Sequence, residues 1–353
     1  MRTLSSNGVT ERRAFLGLAG LAGAGLATLA APAALGAELG GFDPLAPAEA
    51  AGFAHRHPTR RDIAILRFLA AAELVETDLW QQYAELAQGN PRYREALESI
   101  DDDLPVYAVD VTEDELSHAE FINAYLLTIG AQPVNLDRFR VIASPPVTGL
   151  RPIGRLTNLT DLTVDTSYFK RYQGTTNPDF GATFEQIATI KDQPAIPTSN
   201  SVSDQVLGGI VRVAAFHFAW VEQGGTSLYD QFVPYISSRE VLRIVSSIYA
   251  TEAVHYAIFR DALNGITAFH SGANLVVPDL TEGENDSSHV FPKRCTFLSE
   301  QLPTCSVIRP SSTRLAGAQA AATAFTASNL FKGQPPAFFQ ALTALAKAAD
   351  GVA

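Results

Sequence analysis

Two short stretches decide which fold the sequence predicts: Glu-Leu-Ser-His at residues 115–118 and Glu-Ala-Val-His at residues 252–255. Both have the pattern Glu-x-x-His, and both lie in segments whose apolar residues recur with a helical period. Residues three apart on a helix lie on the same face, one turn from each other. A carboxylate and an imidazole in this arrangement can bind one metal ion together or bridge a pair of ions.

A segment upstream of each Glu-x-x-His stretch carries a glutamate that is followed seven residues later by a tyrosine. These pairs are Glu76 with Tyr83 and Glu222 with Tyr229. A carboxylate-bridged dinuclear site in a four-helix bundle needs one glutamate from each of two helices and a Glu-x-x-His from each of the other two. The sequence therefore predicts six metal ligands: Glu76, Glu115, His118, Glu222, Glu252 and His255. The alternative is a coincidence of solvated surface charges, since glutamate is usually exposed.

The predicted ligand set contains four carboxylates and two imidazoles but no thiolate. Four negative charges can balance two divalent ions, which keeps the buried site nearly neutral. Oxygen-rich ligation with one imidazole per metal suits iron or manganese better than copper or zinc. We therefore expect two iron or two manganese ions as the cofactor.

The doubled order of glutamate, tyrosine and Glu-x-x-His resembles the ferritin-like superfamily over residues 60–265. Within it, the chain looks most like the exported ferritin-like proteins grouped with desiccation-related and stress proteins. The resemblance implies an all-α fold, with a ferritin-like four-helix bundle at 59–265, a long crossover at 131–203 between its second and third helices, and a C-terminal helical appendage. It also implies that the metal ions cycle between divalent and trivalent states while reducing dioxygen or peroxide.

Start and stop signals predict where the four helices of the bundle lie. Thr59 or Asp62 is a candidate N-cap for the first, and Thr112 for the second, because Glu115 follows it by three residues. Ser203 or Asp204 opens the third, and Ser238 opens the fourth. The predicted helices are 59–88, 112–130, 203–232 and 238–265, and the crossover is expected to contain short strands at 139–142 and 162–164 and a small helix at 180–190.

Several other residues fall on the predicted inner faces of these helices. Tyr83 and Tyr229 would lie beside the ligand carboxylates and hydrogen-bond one of them or pass an electron; ordinary core packing is the alternative. Glu73 is an extra ligand, a proton relay or one half of a salt bridge at the bundle edge. His217 is expected to be a hydrogen-bonded core histidine rather than a ligand, and the glycine pair 224–225 to mark a bulge or an opening beside the metals.

The N-terminal residues read as a targeting signal rather than as structure. Arg12 and Arg13 are followed by Ala-Phe-Leu and by a weakly hydrophobic segment rich in Ala and Gly, which resembles a Tat signal over 1–37. A transmembrane anchor is the alternative, but the glycines make this segment poor for spanning. Residues 38–58 read as an exposed lead-in. We therefore expect export by the Tat route to the periplasm or the cell exterior, with no membrane association after cleavage.

The net charge narrows the range of partners. The chain carries a formal charge of −11, and loss of 1–37 would remove three arginines and one glutamate, leaving −13. Such an acidic chain is a poor partner for nucleic acid or an anionic membrane. A small-molecule oxidant or substrate is the expected partner.

Residues 266–353 differ in character from the bundle. Cys295 and Cys305 are the only cysteines, and in an exported chain two cysteines ten apart predict a local disulfide that clamps this loop-rich region. Ala-rich segments at 313–329 and 336–349 predict two helices, which could pack on the bundle or mediate self-association into a homo-oligomer.

Three functions are compatible with these features. The first is an exported oxidoreductase that acts on dioxygen, peroxide or an organic substrate. The second is an iron-oxidising or iron-holding protein, although the long crossover argues against a ferritin shell. The third is a stress-protective or structural protein whose metal only stabilises the bundle.

Overall fold

A computed structural model describes residues 57–171, 185–281, 292–307 and 317–351. The predicted signal peptide at 1–37 and nearly all of the predicted lead-in at 38–58 lie outside the described residues. Within them the chain is mainly helical, which confirms the all-α class.

Four long helices form the bundle, and shorter elements connect and follow them. The helices are α1 (Arg60–Gly89), α2 (Pro91–Glu98), α3 (Leu104–Thr128), α4 (Tyr168–Arg171), α5 (Asp204–Phe232), α6 (Arg239–Ala262), α7 (Ala318–Ala327) and α8 (Pro336–Ala349). The strands are β1 (Ile142–Ala143), β2 (Gly154–Arg155), β3 (Thr189–Ile190), β4 (Phe269–Ser271), β5 (Leu275–Val277), β6 (Arg294–Cys295) and β7 (Cys305–Ser306). They form three small antiparallel sheets, ordered β1-β2, β3-β5-β4 and β6-β7.

Contacts along α1 and α5 show that these two helices run antiparallel. Phe68, in the first half of α1, packs its ring 6.2 Å from that of Phe232 at the end of α5. Tyr83, near the end of α1, lies instead beside His217 in the first half of α5, with 2.8 Å between the hydroxyl oxygen and Nδ1. The interior between them is apolar and aromatic, and it forms part of one continuous core.

The other bundle helices explain why the crossover must be long. Tyr125, near the end of α3, donates to Glu240 at the start of α6, whereas Asp114 contacts His255 further along α6. Helices α3 and α6 are therefore antiparallel. Helix α5 is joined to α6 by a short turn and also runs opposite to it, so α3 and α5 point the same way. Parallel helices cannot be joined by a tight turn, and the crossover supplies the return.

Buried charges hold the crossover against α1. The Asp78 carboxylate accepts hydrogen bonds from the backbone N–H groups of Leu156 and Thr157, both at 2.9 Å, and pairs with Arg140 at 2.5 Å. Glu85 forms a second anchor by pairing with the buried Arg155 at 2.5 Å. The irregular backbone thus finds polar partners on α1, which lets it lie on the bundle without leaving buried donors unsatisfied.

The helix starts agree with the capping signals at three of four positions. Thr59 forms a capping box with Asp62, and Ser203 and Ser238 accept hydrogen bonds from the third residue beyond them. The start predicted at Thr112 is wrong, because α3 begins at Leu104 with a proline in its first turn. Thr112 lies inside the helix, and its hydroxyl donates to the carbonyl of Ala108.

The secondary structure of the crossover was predicted less well. The segment predicted as a strand at 139–142 contains the end of a 3-10 turn (Asp137–Phe139) and the start of β1. Leu162 pairs with Gln193 as an isolated bridge rather than in a strand. The helix predicted at 180–190 lies partly outside the described residues, and its last two residues form β3 instead.

The C-terminal helices pack on the bundle. Helix α8 lies along α1, and Phe325 of α7 packs edge-on against Trp220 of α5 with 5.6 Å between the ring centroids. Asp350, just after α8, caps α7 by accepting from the backbone N–H groups of Ala318 and Gln319. None of the described helices combines the length and the hydropathy that a membrane span requires.

The two cysteines lie opposite each other in the β6–β7 pair. Both thiols are free, with Cys295 buried and Cys305 exposed, so this structure does not contain the predicted disulfide. Directly opposed residues of antiparallel strands have Cα separations within the range that a disulfide requires. The bond therefore stays a prediction for the oxidised chain.

Candidate metal centre

Six acidic and histidine side chains meet in the middle of the bundle, where apolar residues surround them. All six are buried, and the four glutamates are at most 1% exposed; they are Glu73, Glu115, His118, Glu222, Glu252 and His255. Burying a carboxylate without a compensating charge is strongly unfavourable. These carboxylates must therefore be compensated by protons, by the histidines or by bound cations.

The six residues form two overlapping groups of donor atoms. One group is Glu73, Glu115, His118 and Glu252, and the other is Glu115, Glu222, Glu252 and His255. Within each group, one donor atom from every residue lies within 4.8 Å of the others. Glu115 and Glu252, the glutamates of the two Glu-x-x-His stretches, belong to both groups. Two neighbouring ions bound here would therefore share these two carboxylates.

Both imidazoles direct Nδ1 toward the carboxylates. His118 Nδ1 lies 3.2 Å from Glu115 and 3.4 Å from Glu73. His255 Nδ1 lies 3.2 Å from Glu115 and 3.2 Å from Glu222. Each histidine follows its glutamate by one helical turn, so α3 and α6 each bring a carboxylate and an imidazole to the same face.

The donor set fits a pair of divalent cations. Buried oxygen atoms of Glu222 and Glu252 have no hydrogen-bond partner, so lone pairs remain for a metal ion. The site is also shaped to admit them. A Cβ atom at Gly225 would lie 2.0 Å from a Glu252 oxygen, so only glycine leaves room for that carboxylate at this position. The predicted bulge is absent, because α5 is a continuous α-helix through Gly225.

Comparison with known families agrees with this geometry. A family described as ferritin-like domain matches residues 61–265, which is more than half of the chain. The chain belongs to the ferritin-like family. Neither the curated proteins nor the solved structures that were searched gave a match.

The charges inside this ferritin-like site are strongly coupled. Burial raises the pKa of Glu73 to about 8 and of Glu222 to about 7, with the charge of Glu115 adding to both. Burial also acts to raise the pKa of Glu115, but hydrogen bonds from His118 and His255 outweigh it and lower that pKa to about 2. Without metal, the central glutamate is thus ionised between two imidazoles, and the outer glutamates tend to keep their protons.

Glu73, not Glu76, belongs to the donor groups. Glu76 lies one turn further along α1, is 4% exposed and is in neither group. The sequence favoured Glu76 because Tyr83 follows it by seven residues, as Tyr229 follows Glu222. A large aromatic residue, Trp80, also follows Glu73 by seven residues, and this equivalent signal makes Glu73 an equal candidate. Whether Glu76 also binds metal stays a prediction.

The two tyrosines have different partners. The Tyr229 hydroxyl donates to the Glu73 carboxylate, so this tyrosine holds a ligand in place. Tyr83 instead contacts Nδ1 of His217 at 2.8 Å and touches no member of the donor groups. Burial lowers the pKa of His217 to about 3, so its imidazole is neutral, as expected for a core histidine.

Asp114 contacts a residue of the donor groups, and sequence analysis did not single it out. Its carboxylate lies 3.0 Å from Nε2 of His255, on the side of the ring opposite the other ligands. A carboxylate in this position fixes the ring orientation and increases the basicity of the ligating nitrogen. In sequence Asp114 resembles any exposed helical aspartate, since only the packing of α3 against α6 brings it to His255.

Two cavities open onto the histidines between α3 and α6. One of about 550 Å³ is lined by His118, Phe121 and Tyr125, among others. The other, of about 460 Å³, is lined by Asp114 and His255 and has Thr251 in common with the first. The site can therefore be reached from the α3–α6 side.

The first prediction concerns which α1 glutamate binds metal. Glu73→Gln should reduce the metal content from two ions per chain to about one, because it removes a carboxylate from only one of the two donor groups. Glu76→Gln, the matched control on the same helix, should retain both ions. Metal analysis of the purified, metal-replete proteins decides between them, and the reverse pattern would make Glu76 the ligand.

The second prediction concerns Asp114. Asp114→Asn should weaken metal binding in the group that contains His255 by about 10- to 100-fold, because the amide no longer supports the imidazole. Asp110→Asn removes the same charge one turn away in the same cavity and should have little effect. Titration of manganese against a competing chelator measures both affinities. Equal losses in the two variants would show that only the local charge matters.

The third prediction concerns pH. In the metal-free protein, Glu73 and Glu222 have pKa values of about 8 and 7, above the ordinary value of 4.5. At pH values between the ordinary pKa and these raised pKa values, the folded state binds more protons than the unfolded state. The free energy of unfolding therefore falls as pH rises. We expect the Tm of the metal-free protein to decrease from about pH 5 to about pH 8.

Metal loading should reverse this trend, because metal ions displace the protons and bind more tightly as pH rises. Scanning calorimetry of both forms over this range provides the test. Parallel curves would show that these carboxylates do not dominate the pH dependence.

Proposed function

We propose that this ferritin-like protein holds two iron or two manganese ions and uses them in redox chemistry on dioxygen or peroxide. The observation that carries the proposal is the sharing of Glu115 and Glu252 between two donor groups. Shared carboxylates hold two ions close together, which suits a reaction that transfers two electrons. An isolated structural ion would need only one such group.

The donor chemistry supports iron or manganese. Each donor group has three carboxylates and one imidazole, and neither contains a thiolate. Hard oxygen donors with one nitrogen are the ligands that these metals favour, whereas structural zinc sites usually contain cysteine. When bound, the two ions supply and take back a pair of electrons.

The surrounding residues would organise the reaction. Tyr229 holds the Glu73 carboxylate, and Asp114 orients the His255 ring. Glu76 is buried beside the donor groups, and burial together with the charge of Glu115 raises its pKa. It can therefore hold a proton near neutral pH, and reduction of peroxide to two waters consumes two protons with the two electrons.

The cavities between α3 and α6 favour a small reactant. They reach both histidines and have volumes of about 550 and 460 Å³. A small-molecule oxidant would fit, and an organic substrate could occupy the wider cavity beside Phe121.

The cellular setting is part of the proposal. We infer Tat-dependent export to the periplasm or the cell exterior from the twin arginine at positions 12 and 13. A role in stress or desiccation would be consistent with removal of oxidants there. No nucleic acid or membrane partner is proposed, in keeping with the acidic charge. Self-association is supported by exposed apolar side chains on α3, such as Phe121 and Leu127, which are 56% and 61% exposed.

A structural role for the metal is the second candidate. The buried oxygens without hydrogen bonds mean that any bound cation would stabilise the bundle, whether or not it reacts. An iron-holding role shares this basis. The two candidates therefore differ in reactivity rather than in binding.

The fourth prediction separates these functions. Iron- or manganese-loaded protein should disproportionate hydrogen peroxide, measured as oxygen release, or consume dioxygen in the reduced form. Glu115→Gln should reduce both rates to those of free metal in buffer, because it removes a carboxylate shared by both groups. Glu113→Gln, two residues away on the exposed face of α3, should leave them unchanged.

A protein that binds two ions per chain, does not react with either oxidant and loses Tm steeply on metal removal would have a structural centre. The redox proposal would then be abandoned.

A further inference from the structure

A second site lies apart from the metal centre, where α1, the start of the crossover and α8 meet. These elements enclose a cavity of about 570 Å³. None of its lining residues belongs to either donor group. Its volume is within the range of about 300–1,000 Å³ typical of small-molecule sites.

The charge of this cavity is opposite to that of the chain. Three arginines, Arg60, Arg67 and Arg138, line it, and no acidic residue does so among the described residues. The chain as a whole has 37 acidic and 26 basic residues, so a cavity lined by basic groups alone departs from the general trend. Like charges grouped around a concave, partly apolar surface concentrate the field that attracts an anion.

Arg67 provides the most specific evidence. Its Nε atom is buried and has no hydrogen-bond partner, and no salt bridge to the guanidinium is formed within the described residues. A buried N–H without an acceptor is unfavourable. Since the planar guanidinium offers parallel N–H groups, a carboxylate could satisfy Nε and a neighbouring nitrogen together.

The other two arginines flank this position, and neither forms a salt bridge with another described residue. Arg138 stacks on the ring of Phe139, with 4.5 Å from Cζ to the ring centroid, which leaves its N–H groups available at the edge of the cavity. Arg60 lies two helical turns before Arg67 on α1 and lines the same cavity.

The remaining wall is mainly apolar. It is formed by side chains of α1, the crossover and α8, which include Ile63, Val134, Leu136, Phe139, Ala341 and Leu345. An inorganic anion would leave this surface in contact with water. A ligand with both a charged head and an apolar tail would cover it.

We propose that this cavity binds an amphipathic monocarboxylate of the fatty-acid type. The carboxylate pairs with Arg67. The side chains of Arg60 and Arg138 lie beside this head group, and the alkyl chain packs against α8. This site is independent of the metal centre and of the redox proposal.

The test is calorimetric titration of the purified, metal-loaded chain with octanoate. Arg67→Gln should weaken binding by about tenfold or more, because it removes the charge-assisted hydrogen bonds. Ala344→Glu, on the α8 wall, should abolish binding by placing a carboxylate opposite the arginines. Because Ala344 is exposed, Ala344→Glu should still fold. It therefore tests the proposal even if Arg67→Gln does not fold.

Arg94→Gln is the matched control. It makes the same change in charge at an exposed pair with Glu98 on α2 and should bind octanoate like the wild type. Two further probes test the ligand class: 1-octanol, which lacks the charge, and inorganic phosphate, which lacks the tail. Neither should bind with comparable affinity.

Three results would overturn the proposal. If octanoate does not bind measurably, the proposed carboxylate site does not exist. Phosphate binding as tightly as octanoate would show a simple anion site without a role for the apolar wall. Octanoate binding that survives Arg67→Gln and Ala344→Glu but is lost in Glu73→Gln would place the ligand on the metal ions.

Discussion

The structure depends on the burial of five glutamates in the middle of the bundle: Glu73, Glu76, Glu115, Glu222 and Glu252. Such a cluster is stabilised by protonation or by positive charge, and the two histidines alone cannot neutralise all of its carboxylates. Glu115 is the centre of this arrangement, because both imidazoles contact it within 3.2 Å. The helices therefore hold a cluster of carboxylates and imidazoles that could bind metal ions.

The two halves of the bundle are related but not equivalent. Glu73 corresponds to Glu222, and Trp80 and Tyr229 follow them at the same spacing. One turn after Glu73 stands Glu76, whereas the matching position after Glu222 is Gly225. Gly225 leaves space for Glu252, and Glu76 lies nearby, so one half supplies an extra carboxylate where the other has only a glycine. The two ions would thus have different surroundings.

The bundle could be predicted from the sequence because two Glu-x-x-His pairs on helical periods put a carboxylate and an imidazole on the inner face of two separate helices. Five of the six predicted ligands lie in the donor groups, and Glu76 does not. Glu73 and Glu76 both face the interior, and an aromatic residue follows each by seven residues, so spacing along one helix could not separate them. The positions of the donor atoms did. Asp114 and the anchors of the crossover depend on tertiary neighbours in the same way. The start of α3 was missed because a strong capping signal at Thr112 occurs inside a longer helix.

The ligands divide between a covered and an open side of the bundle. Helices α1 and α5 contribute Glu73 and Glu222, and these helices are covered by the crossover, α7 and α8. Helices α3 and α6 contribute the shared carboxylates and both imidazoles, and their junction contains the cavities at His118 and His255. A small reactant would therefore approach from the imidazole side. The elements added to the four-helix bundle pack on the opposite side, against α1 and α5.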